Sequence, residues 1–203
     1  MKLLDIKMNI IIFDTEFFSL SKKKSNLKYL KKYQNLLFPE IIQLGAYKYT
    51  NFFLNKKPRK MNIFFNTKQK IPERIKNLTG INEKILKSEG KDFNKNIYSF
   101  FNFIDKKSIV FSNGNDFGII KLNMKYNNLN KINKTVTFVN LKKIIGNIDT
   151  EKLYLKYSYT KIKSHNALND CFVLKVSIDD FIKTYGRDAF IKIVNKKKKL
   201  IKL

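Results

Sequence analysis

The chain has 203 residues, 43% of them apolar and 14% aromatic, and a formal net charge of +26. That apolar content is enough for a packed core and excludes an intrinsically disordered chain. The lone Cys171 excludes a disulfide framework and a thiolate zinc site. So large a positive charge implies an anionic partner, nucleic acid ahead of an acidic membrane surface, with binding that weakens steeply in salt. Part of the excess is compositional, because Lys, Asn, Ile, Phe and Tyr dominate and all have A/T-rich codons. No apolar run approaches the length of a membrane span or a signal peptide, so we expect a soluble, cytoplasmic protein with no membrane partner.

The first clear element is Asn9–Phe18, NIIIFDTEFF, a β-branched apolar run ending in two acids. Successive strand side chains alternate, so Asp14 and Glu16 share one face, roughly 6–7 Å apart. Two carboxylates held that close repel each other unless a cation lies between them or one is protonated. Hard oxygen donors of this kind suit Mg²⁺ or Mn²⁺; a strand simply ending in two solvated acids fits the same pattern.

Residues 19–35, rich in Lys, Ser and Asn, read as a loop with a short basic helix. Glu40–Tyr49 reads as a second strand, and 62–67 as a third, reached through a turn near 55–60. Pro72 and Gly80 bracket a helix over 71–80, and 82–87 reads as another short one. Phe93, Ile97, Phe100, Phe101 and Ile104 keep helical spacing and mark an amphipathic helix. A fourth strand over 108–112, a turn at 113–115, a helix over 116–126 and a fifth strand over 135–139 follow. Ala167, Cys171, Leu174 and Ile178 give a late helix over 166–183. Residues 195–203, with four consecutive lysines, read as a frayed basic tail. Strands and helices interleave, so the fold class is α/β, built on one sheet.

Three further residues bear on the first strand. Asp116 opens a helix after the fourth strand. His165, the sole histidine, and Asp170 can both face a point near the start of the late helix. Singly, acids near helix N-termini are common because they complement the macrodipole, and a lone imidazole often serves as a surface or capping group.

Taken in order, Asp14-x-Glu16, Asp116 and His165-x-Ala167-x-x-Asp170 resemble the DEDD exonuclease superfamily in its histidine branch (DEDDh). That branch includes the proofreading subunit of bacterial replicative polymerase, ribonuclease T, oligoribonuclease and small-RNA-trimming exoribonucleases. EIIQLGA at 40–46 and Ile71-Pro72 leading to Leu78-Thr79-Gly80-Ile81 also look like family segments. The likeness runs from about residue 10 to residue 181. Phe17 stands where the family often has Thr, and 19–35 looks longer than in compact members; both bear on substrate choice.

The resemblance implies a ribonuclease H-like fold, a mixed five-stranded sheet flanked by helices. It implies one exonuclease domain over 1–203, with its core at about 9–185 and the basic tail at 195–203. Asp14, Glu16 and Asp170 would hold one Mg²⁺, and Asp14 and Asp116 would share a second, Mn²⁺ being able to substitute. His165 would take a proton from the attacking water, releasing nucleoside 5′-monophosphates from a 3′ end. The partner would be single-stranded nucleic acid or a 3′ overhang, with Thr15, Phe17 and Phe18 as candidate substrate contacts and lysines between 22 and 32 as backbone contacts. The resemblance also admits a polymerase or processing partner, a homodimer, or a non-catalytic nucleic-acid-binding module.

Overall fold

A computed structural model of the chain describes residues 8–18, 39–54, 57–129, 132–147, 149–159 and 161–202. The basic segment 19–35, with its lysines, lies outside the described residues. Among those described, β1 (Asn9–Phe18), β2 (Glu40–Tyr49), β3 (Arg59–Phe64), β4 (Ser108–Ser112), β5 (Thr135–Asn140) and β6 (Lys199–Lys202) form one mixed sheet. Its strand order is β3-β2-β1-β4-β5-β6. Strand β1 runs parallel to β4 and antiparallel to β2, and β5 is parallel to β4. The helices are α1 (Glu73–Thr79), α2 (Glu83–Glu89), α3 (Phe93–Phe103), α4 (Asp116–Tyr126), α5 (Lys142–Ile145), α6 (Thr150–Lys156), α7 (Ala167–Tyr185) and α8 (Arg187–Lys197). This is the α/β, ribonuclease H-like arrangement that the sequence implied.

Both faces of the central strand are apolar because helices cover both. Ile11 and Phe13 face Ile97 and Phe100 of α3 and Phe117 and Ile120 of α4. Ile10 and Ile12 face Cys171, Leu174 and Ile178 of α7, together with Phe190 and Val194 of α8. The two-residue period of β1 therefore sends alternate side chains to two separate cores. That parity decides which helix each site residue meets.

The sheet has six strands, not the five expected. Residues 195–202 are not a frayed tail: α8 reaches Lys197, and Lys199–Lys202 pair antiparallel with β5. Fully buried Phe190 and Val194 pin α8, and Ile201 packs on the α3–α4 core. β3 lies three residues earlier than expected, since Phe64 pairs with Gln43 and Arg59 with Lys48. Its alternation is weak because Arg59, Lys60 and Asn62 are exposed. A one-turn 3₁₀ helix, Phe52–Leu54, occupies the start of the β2–β3 connection.

Candidate active site

Pairing between β1 and β4 ends at Ile12↔Phe111, whereas β1 continues against β2 as far as Phe18. Past Ile12, β1 thus has no strand on its β4 side among the described residues. A cavity of about 500 Å³ opens there, at the carboxyl ends of two parallel strands, where α/β sheets tend to bind ligands. All five signature residues, Asp14, Glu16, Asp116, His165 and Asp170, line it.

Asp14 and Glu16 continue the parity of Ile10 and Ile12 and so meet α7. Together with Asp170 they offer ligand oxygens that lie within 4.8 Å of one another. α7 comes this close because Gly45, paired with Asp14 across the sheet, has no side chain. A Cβ there would sit 2.5 Å from backbone atoms of Ala167 and Leu168. The first amides of α7 are satisfied locally: Ala167 N–H donates to Gln43 Oε1 at 3.1 Å, and those of Leu168 and Asn169 donate to Asn166 Oδ1 at 3.2 Å. The Cys171 thiol donates to the Gly45 carbonyl at 3.3 Å, fastening the helix to β2.

Asp116 arrives from the opposite face, at the first position of α4. Thr15 has the parity of Ile11 and Phe13, so it faces α4, and its hydroxyl donates to Asp116 Oδ1 at 2.8 Å. The residue between the two acids therefore holds the third. From α6, the buried Tyr154 hydroxyl donates to Asp170 Oδ1 at 2.6 Å. His165 is half-buried just ahead of α7, with φ +55°. A left-handed conformation is uncommon for a residue other than glycine, and such strain clusters at functional sites.

The charges here are crowded. Burial pushes the Glu16 carboxyl up to about 8, and the charges of Asp170 and Asp116 add to the shift. Burial, then Asp116, Asp170 and Glu16, hold the Asp14 carboxyl well above the usual range. Asp170 rises to about 6 by burial, against the lowering effect of Tyr154 and the His165 backbone amide. Burial also raises Asp116, opposed by its bond from Thr15. A buried set of mutually repelling carboxylates is what a hard divalent cation neutralises, so the donor set fits one.

Of the candidate substrate contacts, Phe17 is 39% exposed and lines the cavity. Phe18 is 1% exposed and packs with Ile42, Ile71, Ile81 and Leu86, so it is a core residue and not a substrate contact. The register slip between Glu16 and Phe17 accompanies this divergence. Sequence reasoning assigned no role to Gln43, Gly45 or Tyr154, nor to Asp149, Thr150 and Glu151, which line the rim at the start of α6. Asn113 Nδ2 donates to Thr150 Oγ1 at 3.1 Å, tying that rim to the β4–α4 turn.

The family model described as Exonuclease (RNase T) matches residues 11–175, most of the chain. The chain belongs to this exonuclease family. No curated protein sequence matches it. Among solved structures, the exonuclease domain is similar to the nuclease domain of 3′hExo, a DEDDh family member bound to rAMP. That likeness has 14% identity and a TM-score of 0.67, over 89% of this chain and 94% of that one. Cell-death related nuclease 4 (CRN-4) gives 18% identity and 0.65, over 87% of this chain and 64% of that one. The E. coli ExoI–ssDNA complex gives 11% and 0.67, over 92% of this chain and 42% of that one. At such identities the likeness is one of fold, and the chain spans under two thirds of the CRN-4 and ExoI chains.

Proposed function

We propose that this exonuclease acts in the 3′→5′ direction on single strands or 3′ overhangs, hydrolysing phosphodiesters to nucleoside 5′-monophosphates by a two-metal mechanism. The observation that carries the reading is the convergence of Asp14, Glu16, Asp116, Asp170 and His165, from three separate segments, on one cavity. Asp14, Glu16 and Asp170 would hold one Mg²⁺, and Asp14 and Asp116 would share a second, with Mn²⁺ as a substitute. Bound there, divalent cations stabilise charge on both the attacking and the leaving oxygen.

The chain's own groups do the rest. His165 accepts the proton of the attacking water, as a positioned imidazole can. Tyr154 and Thr15 keep Asp170 and Asp116 aimed inward, each through one short hydrogen bond. Phe17, exposed at the rim, stacks on the terminal base, as aromatics do in single-strand grooves. The single-stranded DNA in the ExoI structure and the rAMP in the 3′hExo structure support a nucleic-acid substrate.

The test is hydrolysis of 3′-labelled and 5′-labelled single strands with Mg²⁺ and with EDTA. Wild type should release labelled mononucleotide from the 3′-labelled strand first, and Asp14→Asn and Asp170→Asn should be inert. His165→Gly should lose about 10²–10⁴-fold in rate while melting no lower than wild type, because glycine accepts the positive φ. Full activity in either Asp variant, or release from the 5′ end, would refute the assignment.

A further inference from the structure

Beyond the acid-lined cavity, the surface changes sign. Gly114 and Asn115 line both the site cavity and a neighbouring trough of about 350 Å³ between α4 and β6. Lys121 and Lys202 line both that trough and a third cavity of about 760 Å³. The three share walls in succession and form one path leading away from the site. Among the described residues, six acids line the first cavity and none lines the other two.

The lysines along this path are placed by secondary structure. Lys121 and Lys125 are one turn apart on α4, and both are exposed. Lys199 pairs with Phe138, near the end of β5 that adjoins the site, and Lys202 pairs with Thr135 at the far end. β6 therefore carries positive charge outward over about 10 Å. Lys199 stands over the Phe138 ring at 5.5 Å. Among the described residues none of these four lysines is ion-paired. Lys134, by contrast, is occupied by the carbonyls of Phe101 and Ile104. Residues 187–202, which supply α8 and β6, lie outside the stretch that the family model matches.

We propose that the trough between α4 and β6 is a track for the phosphate backbone of the nucleic-acid strand whose end occupies the acidic cavity, with Lys121, Lys125, Lys199 and Lys202 as its phosphate contacts. The proposal rests on the exonuclease reading for the identity of the strand. Its warrant is charge complementarity and physical continuity with the site. A lysine wall attracts a polyanion, and the six-acid pocket beside it does not unless cations fill it.

The test uses the full chain in EDTA, so that binding is measured without cleavage. Probes are fluorescein-labelled oligothymidylates of about four and about sixteen nucleotides, a span typical of single-strand sites. The variant is Lys121→Gln, Lys125→Gln, Lys199→Gln and Lys202→Gln together. A control neutralises the equally exposed Lys84, Lys87, Lys91 and Lys95, which line none of these cavities. For the long probe, the slope of log affinity against log salt should fall by about 0.7 per lost contact, and low-salt affinity by about tenfold or more. The short probe and the control should behave as wild type, and four Lys→Arg changes should restore the slope. An unchanged slope, or an equal fall in the control, would overturn the track. Hydrolysis with Mg²⁺ is scored separately: a wild type that shows the lysine-dependent slope but cleaves nothing sinks the nuclease reading and leaves the track standing.

Discussion

Thr15 shows how a short residue between two acids shapes the site. Its hydroxyl donates to Asp116 Oδ1 at 2.8 Å, so its loss strips a partner from a buried carboxylate. Thr15→Val keeps the shape and removes the hydroxyl. It should cost about 1–3 kcal/mol in stability and about 10–100-fold in Mg²⁺-dependent hydrolysis, as lost supporting partners of ligands do. Thr15→Ser should restore both, measured by urea midpoint and by kcat. Hydrolysis at the wild-type rate in the Val variant would show that Asp116 needs no such tether. The five signature residues were legible in the sequence because their types and order carry the chemistry directly. Thr15 and Phe18 were read only as candidate substrate contacts, and Gln43, Gly45 and Tyr154 were given no role. Thr15 acts through a partner 101 positions away and Gln43 through one 124 away. No local pattern encodes a contact of that separation.

At the scale of elements, what could be read was what repeats. α3 shows apolar residues over three turns, and α4 and β4 begin and end where turn chemistry predicts. α6 has seven residues and β6 four, too few for a period of 3.6 or 2 to stand out, and β6 is embedded in lysines. The junction of β2 with α7 is the element contact on which the site depends, because it sets the distance from Asp170 to Asp14. Gly45→Ala places a Cβ 2.5 Å from the backbone of Ala167 and Leu168, not from a side chain that can swing away. The first turn of α7 must then move off the sheet and take Asp170 with it. We expect a loss of about 1–3 kcal/mol from overpacking, seen in the denaturant midpoint, and a larger proportional loss of hydrolysis. An Ala variant that keeps both would mean that the helix can slide without disturbing the acids.

For the molecule as a whole, the site concentrates negative charge in a chain with 42 basic residues and 16 acidic ones. Six of those acids line one cavity, and the cost of holding them there should be visible in stability. Glu16 rises from its ordinary 4.5 to about 8, and Asp170 from 3.8 to about 6. An acid raised on folding binds its proton more tightly in the native state than in the unfolded one. Stability is therefore greatest below the ordinary value and falls as pH climbs through the raised one. The metal-free protein should lose stability from about pH 4 to pH 8. Asp105, Asp149 and Asp180 are shifted the other way; their effect lies below the ordinary carboxylate value and leaves the range from pH 6 to pH 8 to the site. Cation binding needs the carboxylates ionised, so affinity for Mg²⁺ rises over the same range. At about a hundredfold excess over Kd, the cation should add about 2.7 kcal/mol, or about 5–10 °C in Tm for a chain of this size. That gain over EDTA should be larger at pH 8 than at pH 6. Glu16→Gln removes one repelling charge, so it should melt higher than wild type in EDTA at pH 8 and gain less from Mg²⁺. Equal Mg²⁺ shifts at the two pH values, or a Gln variant that melts lower in EDTA, would mean that the acids are not held together against their own repulsion.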